Sequence, residues 1–341
     1  MPHPLSTSFV EFSESECKDS SPLYYALSRS IAADDSLLDI AQHSTAGQPV
    51  PNLLFASVHY LLSANKSHPL AAFYATFTPS PANPDNAYPA FRDFVLGHAD
   101  EIIFLLKSRF VQTNEVRRCA YLFPAFLFAA SHFDSRPLAL VEIGTSAGLN
   151  LLWDKYSYSY DAGATYGDPS SEIHLTSSFR GENLPALQLP IPSISHRIGL
   201  DLNIVDTLIP DQAAWLGALV WPEQHDRRNL LEAALKKRSD TALDLRTGDG
   251  FSMLPDIVRE IPIESIVCVY HTHVANQISL QARQDFLKSI DKIGKQRDVI
   301  HLFNNIKPNL HLTIYRRGEF INMPLANTDG HARWIEWLLK S

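Results

Sequence analysis

Cysteine is scarce. The 341-residue chain holds three, Cys17, Cys119 and Cys268, widely spaced and without a C-x-x-C pair, which argues against a disulfide framework and against a thiolate metal site. The last two lie in apolar runs and read as inert core. Basic charge is also short: 29 Lys and Arg stand against 37 Asp and Glu, for a net charge of −8, and the longest basic run is Lys236-Lys237-Arg238. The broad positive footprint of a nucleic-acid binder is missing. Long hydrophobic runs are absent too. The longest, 119–130, contains Pro124 and falls well short of the roughly 20 residues that span a bilayer, so it reads as a buried helix. The opening twenty residues have neither a positive start nor an apolar block of signal-peptide length. These absences lead us to expect a cytoplasmic protein with a small-molecule partner, no nucleic acid and no membrane, and they leave the oligomeric state open. Internal repeats and low-complexity tracts are not visible.

What is present is ordinary globular composition, 45% hydrophobic and 19% charged, in a chain long enough for one large domain or two. Up to about residue 135 the pattern is helical. Ser21 before Pro22 reads as an N-cap with proline in the first turn, followed by Leu23, Ala26, Leu27 and Ile31 at three-four spacing. A second helix follows Pro51 through Leu53, Leu54, Val58 and Leu61. The stretch 91–110 carries Phe94, Val95, Ile102 and Leu106 on a broad face, and Thr113 is expected to cap a further helix with Glu115 in its first turn. The Pro- and Asn-rich segment 79–89 reads as a surface loop.

After Pro137 the grammar changes. Residues 138–143 form a short apolar run of the kind that makes a strand covered on both faces, and it leads into glycines and an expected helix. Further strands are expected at 196–200, 242–246, 266–270, 299–303, 312–315 and 319–323, with helices at 212–219, 227–237 and 281–293. Alternating strands and helices predict an α/β fold with a parallel sheet. The segment 156–180 breaks the alternation and reads as an inserted hairpin, with Tyr156, Tyr158 and Tyr160 along one face. The expected organisation is therefore an all-helical N-terminal region, 1–135, followed by a sheet domain, 136–341.

The richest stretch is Val141-Glu142-Ile143-Gly144-Thr145-Ser146-Ala147-Gly148-Leu149-Asn150. A strand that turns through small residues into a helix offers backbone N–H groups to a ligand above the sheet edge, and in open parallel sheets that edge, near the switch point, is where ligands settle. The three-glycine dinucleotide fingerprint is absent. E-x-G-x-x-x-G after a buried strand resembles the first motif of class I S-adenosylmethionine-dependent methyltransferases, and three features follow in order: Asp201 closing the second strand, Gly248-Asp249-Gly250 after the third, and Tyr270-His271-Thr272-His273 at the end of the fourth. The blocks SPLYYAL, PNLLFASVHYLL, VQTNEVRRC, VEIGTSAGLNLLWDKYSY, RIGLDLN, WPEQHDRR and YHTHV are similar to a bacterial family, domain of unknown function 2332.

The resemblance implies a Rossmann-like class I methyltransferase-type sheet with S-adenosylmethionine as cofactor and an unknown small molecule as acceptor. It implies cofactor contacts at Glu142, Gly144, Thr145, Ser146, Gly148, Asn150, Asp201, Asp249 and Gly250. His271 and Glu115 are the expected catalytic residues, since an imidazole suits proton removal near neutral pH. Gln112, Asn114, Arg117 and His273 are the expected substrate contacts. His271 and His273 also have two-ligand metal spacing, but no third ligand is placed and no metal is expected. Two other readings stand beside this one. Gly144-Thr145-Ser146-Ala147-Gly148 fits G-x-S-x-G, the nucleophile turn of serine hydrolases, with Ser146, Asp249 and His271 in the order serine, acid, histidine. A non-catalytic module on the same fold would bind a ligand or partner without turnover.

Overall fold

The computed structural model describes residues 3–275 and 278–340. The chain is a mixed α/β protein with helices and an eleven-stranded sheet. It divides into two compact units, 1–113 with 208–229 and 114–207 with 230–341.

In the first unit, helix Pro22–Ile31 starts where expected, with Ser21 Oγ accepting from the Tyr24 amide at 3.1 Å. Helix Val50–Ala64 follows. The expected single helix over 91–110 is instead two, Tyr88–Gly97 and Ala99–Ser108, because His98 takes a non-helical conformation between them. Segment 208–229 belongs here through side chains: Trp221 meets Tyr24 edge-on at 5.7 Å, and Tyr24 stacks on Phe55 at 4.1 Å. Such aromatic pairs are worth about 0.5–1.5 kcal/mol beyond the area they bury.

The second unit holds the whole sheet. Its strands are β1 (Leu138–Ile143), β2 (Ser157–Tyr160), β3 (Thr165–Gly167), β4 (His174–Phe179), β5 (Ile194–Asp201), β6 (Asp244–Thr247), β7 (Ile266–His271), β8 (Val299–Phe303), β9 (Leu310–Arg316), β10 (Glu319–Thr328) and β11 (Trp334–Trp337). The spatial order is β3-β2-β4-β11-β10-β9-β8-β7-β1-β5-β6. Strands β8, β7, β1, β5 and β6 are mutually parallel, and the antiparallel β9 and β10 extend them. Because β1, β7 and β8 are buried at every position, they read in the sequence as near-continuous apolar runs, broken only by Glu142, His271 and His301.

Both faces of the central strands are covered. Ala139, Val141, Ile143, Val267 and Val269 pack with Leu254, Ile257, Phe286 and Ile290 of helices Gly250–Glu260 and Leu280–Gly294. On the other face Phe126, from helix Cys119–Ala130, meets Tyr270 at 5.1 Å and Trp153 at 4.7 Å. Three local expectations need correction. The turn after β1 leads into a 3-10 helix, Leu149–Lys155, because its first five residues are all buried and no polar face exists for an amphipathic α-helix. Glu115, not Thr113, is the cap before helix Cys119–Ala130: its carboxylate accepts from the Arg117 amide at 3.3 Å at the start of a 3-10 turn, Val116–Arg118. The inserted segment is more than a hairpin, since β2 pairs antiparallel with β3 and parallel with β4. Its tyrosines are buried and donate to the backbone, Tyr156 to Leu149 O, Tyr158 to Trp153 O and Tyr160 to Ala120 O.

Candidate functional site

The strand order reverses at β1. The chain crosses from β1 to β5 on one side and later places β7 on the other, and the carboxyl ends of strands at such a switch point are where open α/β sheets take their ligands. The glycine turn sits there, and its hydrogen bonds are already made. Gly144 N donates to Leu200 O at 2.8 Å, Gly148 N to Thr145 O at 2.8 Å, Ser146 N to Asp201 Oδ2 at 2.8 Å and Leu149 N to Asn114 Oδ1 at 3.0 Å. The turn's amides are therefore largely spent within the chain. Its glycines are required by packing: Gly144 has φ +74°, and a Cβ there would overlap Val274 Cγ2, while one at Gly148 would lie 2.7 Å from Leu243 Cδ1. Gly250 is similar, with Ile143 Cγ2 2.9 Å from its Cβ position.

Five of the expected cofactor residues form one buried group under this turn. Glu142, in register with Tyr270, lies on the sheet face covered by helix Cys119–Ala130. Its carboxyl accepts from Thr145 Oγ1 at 2.6 Å. Burial pushes Glu142 up to about 8, while hydrogen bonds from Thr145 and Asn150 pull the other way, so it is mostly protonated at neutral pH. Asn150 Oδ1 in turn accepts from Cys119 Sγ at 3.3 Å. Asp201, at the end of β5, holds the Ser146 amide and also the Asn203 amide at 3.0 Å. Ser146 has φ +52°, and its Oγ is buried without a hydrogen-bond partner among the described residues.

Asp249 stands on the rim, exposed, where it caps helix Gly250–Glu260 by accepting from Phe251 N at 3.1 Å. Leu202, next to Asp201, is 75% exposed. Strands β5 and β6 are paired up to Asp201 and Thr247, so these two residues leave the sheet side by side.

His271 lies on the opposite face from Glu142, fully buried among Phe251, Phe286 and Phe303, with its Nε2 3.2 Å from His301 Nε2. Burial drives it down to about 3. The structure thus separates His271 from the rim. His273 does reach the rim: its backbone is left-handed, φ +58°, and its amide donates to Asn304 Oδ1 at 2.8 Å and Asn305 Oδ1 at 3.2 Å. Glu115 lies nearby, 5% exposed, its carboxylate 3.0 Å from His331 Nδ1. Arg118 Nε donates to Gly330 O at 3.2 Å. Arg117, one step along a 3-10 turn and so turned about 120° from its neighbour, keeps its Nε buried without a partner among the described residues. Gln112 belongs to the first unit.

His331 escaped the sequence reading. It sits in Asp329-Gly330-His331 between β10 and β11, and the Asp-Gly pair is a turn signal that could have drawn attention to it. In the first unit a cleft of about 410 Å³ is lined by Tyr60, Phe104, Arg109 and Asp211, but there Asp211 is already taken by Tyr60 and Arg109. Among the described residues no group of three or more His, Cys, Asp or Glu could hold a metal ion, and no helix is long and apolar enough to cross a membrane.

A mixed α/β sheet with a polar rim at its carboxyl edge is thus the class of protein that the fold defines. The family model for uncharacterized proteins conserved in bacteria (DUF2332) matches residues 6–337, and the chain belongs to that family. No curated protein and no solved structure gives a significant match.

Proposed function

We propose that this chain is an S-adenosylmethionine-dependent methyltransferase acting on a small molecule, built on a Rossmann-like sheet. The observation that carries the reading is the run of three neighbouring strand ends, β1, β5 and β6, bearing Glu142, Asp201 and Asp249 in chain order beside the switch point. The residues fit the nucleoside half of the cofactor. Asp201 is a fixed carboxylate for ribose hydroxyls, exposed Leu202 offers an apolar face to a purine, and Asp249 can accept from an exocyclic amine. The amino-acid half fits less well, since the turn's amides are spent and Val274 covers Gly144.

When bound, the sulfonium would supply an electrophilic methyl group. The chain's part is to hold, orient and exclude water. Protonated Glu142 puts no negative charge under the turn at neutral pH. Ser146 Oγ is sealed in the interior, which disfavours the hydrolase reading, because a nucleophile must reach its substrate.

Calorimetric titration with S-adenosylmethionine, its demethylated product and adenosine tests the proposal. All three are expected to bind, and Asp201→Asn and Leu202→Glu each to weaken them about tenfold. Folded protein giving no heat with any of the three at millimolar concentration overturns it.

A further inference from the structure

The rim at the ends of β7 and β8 holds a second set of groups whose chemistry the cofactor residues do not use. Arg118 comes from the 3-10 turn Val116–Arg118 and is half-buried. Its Nε reaches the Gly330 carbonyl in the turn after β10, and its charge is felt at Glu142, Tyr121 and His273. Yet its one hydrogen bond is from Nε to a backbone carbonyl, that of Gly330, and it makes no ion pair among the described residues. Half-buried guanidinium groups ordinarily meet a carboxylate or a phosphate in a forked pair. Glu142, an acid at which its charge is felt, is held mostly neutral by burial.

Beside it stands an oriented imidazole. Glu115 is almost wholly buried and lies 3.0 Å from His331 Nδ1, whereas the His331 side chain is 47% exposed. The Nδ1 edge is therefore tied inward, and Nε2 makes no hydrogen bond among the described residues. The turn that presents His331 is fixed at several points. Asp329 accepts from the His331 and Arg333 amides at 3.1 Å each and pairs with the Arg333 guanidinium at 2.9 Å, and Ala332 O accepts from Ser177 Oγ at 2.8 Å. Left-handed backbone at three non-glycine residues gathers on this rim: His273 at φ +58°, Asn305 at +64° and Ala332 at +57°. Such strain costs about 1–3 kcal/mol per residue and persists where the surroundings enforce it, often at functional sites.

We propose that Arg118 grips an anionic group of the substrate, a carboxylate or phosphate, and that the Glu115–His331 pair takes a proton from the atom so positioned. In that step the substrate's O–H or N–H bond breaks, its electron pair stays on the substrate, and the proton goes to His331 Nε2. The Nδ1 proton stays on its bond to Glu115, whose charge balances the imidazolium. This names the acceptor class for the site proposed above and rests on reading this rim as its acceptor side.

The test needs no cofactor. Protein carrying 15N-histidine is titrated with acetate, succinate and inorganic phosphate, the His331 signals being assigned by their absence in His331→Gln. A saturable shift of those signals is expected with at least one carboxylate or with phosphate, weakened about tenfold or more in Arg118→Gln and in part retained in Arg118→Lys. No saturable shift with any of the three, or an unchanged response in Arg118→Gln that still melts cooperatively, overturns the inference. Because this readout is independent of S-adenosylmethionine, anion binding without cofactor binding would sink the methyltransferase reading alone.

Discussion

The imidazoles of His271 and His301 meet Nε2 to Nε2 at 3.2 Å between β7 and β8, closed in by Phe251, Phe286 and Phe303. One nitrogen must donate and the other accept, so the bond is lost once both Nε2 atoms carry protons. Burial pushes His271 down to about 3 and His301 well below its ordinary value.

Acid should therefore unfold this protein earlier than its carboxylates alone would require. His59 at about 3 and His273 at about 4 are depressed in the same sense, again by burial first. In the unfolded chain each would titrate near 6.5. Between these values the unfolded state binds more protons, so this stability is whole above about 6.5 and is lost as pH falls toward about 3, at up to about 1.4 kcal/mol per pH unit per group. Urea midpoints measured from neutral to about pH 5 should fall steadily. His301→Phe should lower stability at neutral pH by about 1–2 kcal/mol, because His271 Nε2 loses its partner, and make the acid slope shallower. An unchanged slope would remove the pair from the explanation.

Glu142 acts in the opposite direction. Its folded value, raised to about 8 by burial from an ordinary value of 4.5, means that the folded state binds more protons between the two. The stability it lends is full below about 4.5 and is lost as pH rises through about 8. Glu142→Gln keeps the shape and an acceptor for Thr145 Oγ1 but cannot ionise. It should leave stability near pH 5 almost unchanged and raise it near pH 8 by about 1–3 kcal/mol, read as the difference in denaturation midpoint against the parent.

What could be read from the sequence follows the physics of each element. Strands β1, β7 and β8 were legible because burial on both faces makes an apolar run, and the acids at 142, 201 and 249 fall at strand ends as the spacing suggests. Helix Gly250–Glu260 was hidden by Pro255 within it. Strand β11 is four residues long and pairs with β4 from far back in the chain, a contact that no local pattern encodes. The face on which a histidine lands was equally illegible. His271 and Glu142 end neighbouring parallel strands, yet the register puts them on opposite faces, and the imidazole that reaches the rim, His331, comes from a turn near the end of the chain.

Glu223 ties the interrupted first unit together. Its carboxylate accepts from Ser21 Oγ at 2.8 Å and from Leu23 N at 3.1 Å, serving the N-terminus of helix Pro22–Ile31, where negative charge is favoured. Glu223→Ala should cost about 1–3 kcal/mol, and Glu223→Gln less, since an amide oxygen can still accept. Equal losses would assign the effect to charge alone. Chemical denaturation followed by Trp221 fluorescence reports on the same spot, as Trp221 packs on Tyr24 and Phe12.

Val274 against Gly144 separates a packing role for the glycine from a ligand-binding one. At φ +74° with Val274 Cγ2 in the way, Gly144→Ala should cost about 2–4 kcal/mol, the sum of overpacking and left-handed strain. Adding Val274→Ala should relieve the steric part and leave about 1 kcal/mol of backbone strain, so the two changes should be strongly non-additive in urea denaturation. Val274→Ala alone trims the side chain that covers the turn, and under the proposed function it should tighten S-adenosylmethionine more than adenosine, because the amino-acid half is what Val274 obstructs. Equal effects on both ligands would mean that the cofactor's amino-acid end lies elsewhere on the rim.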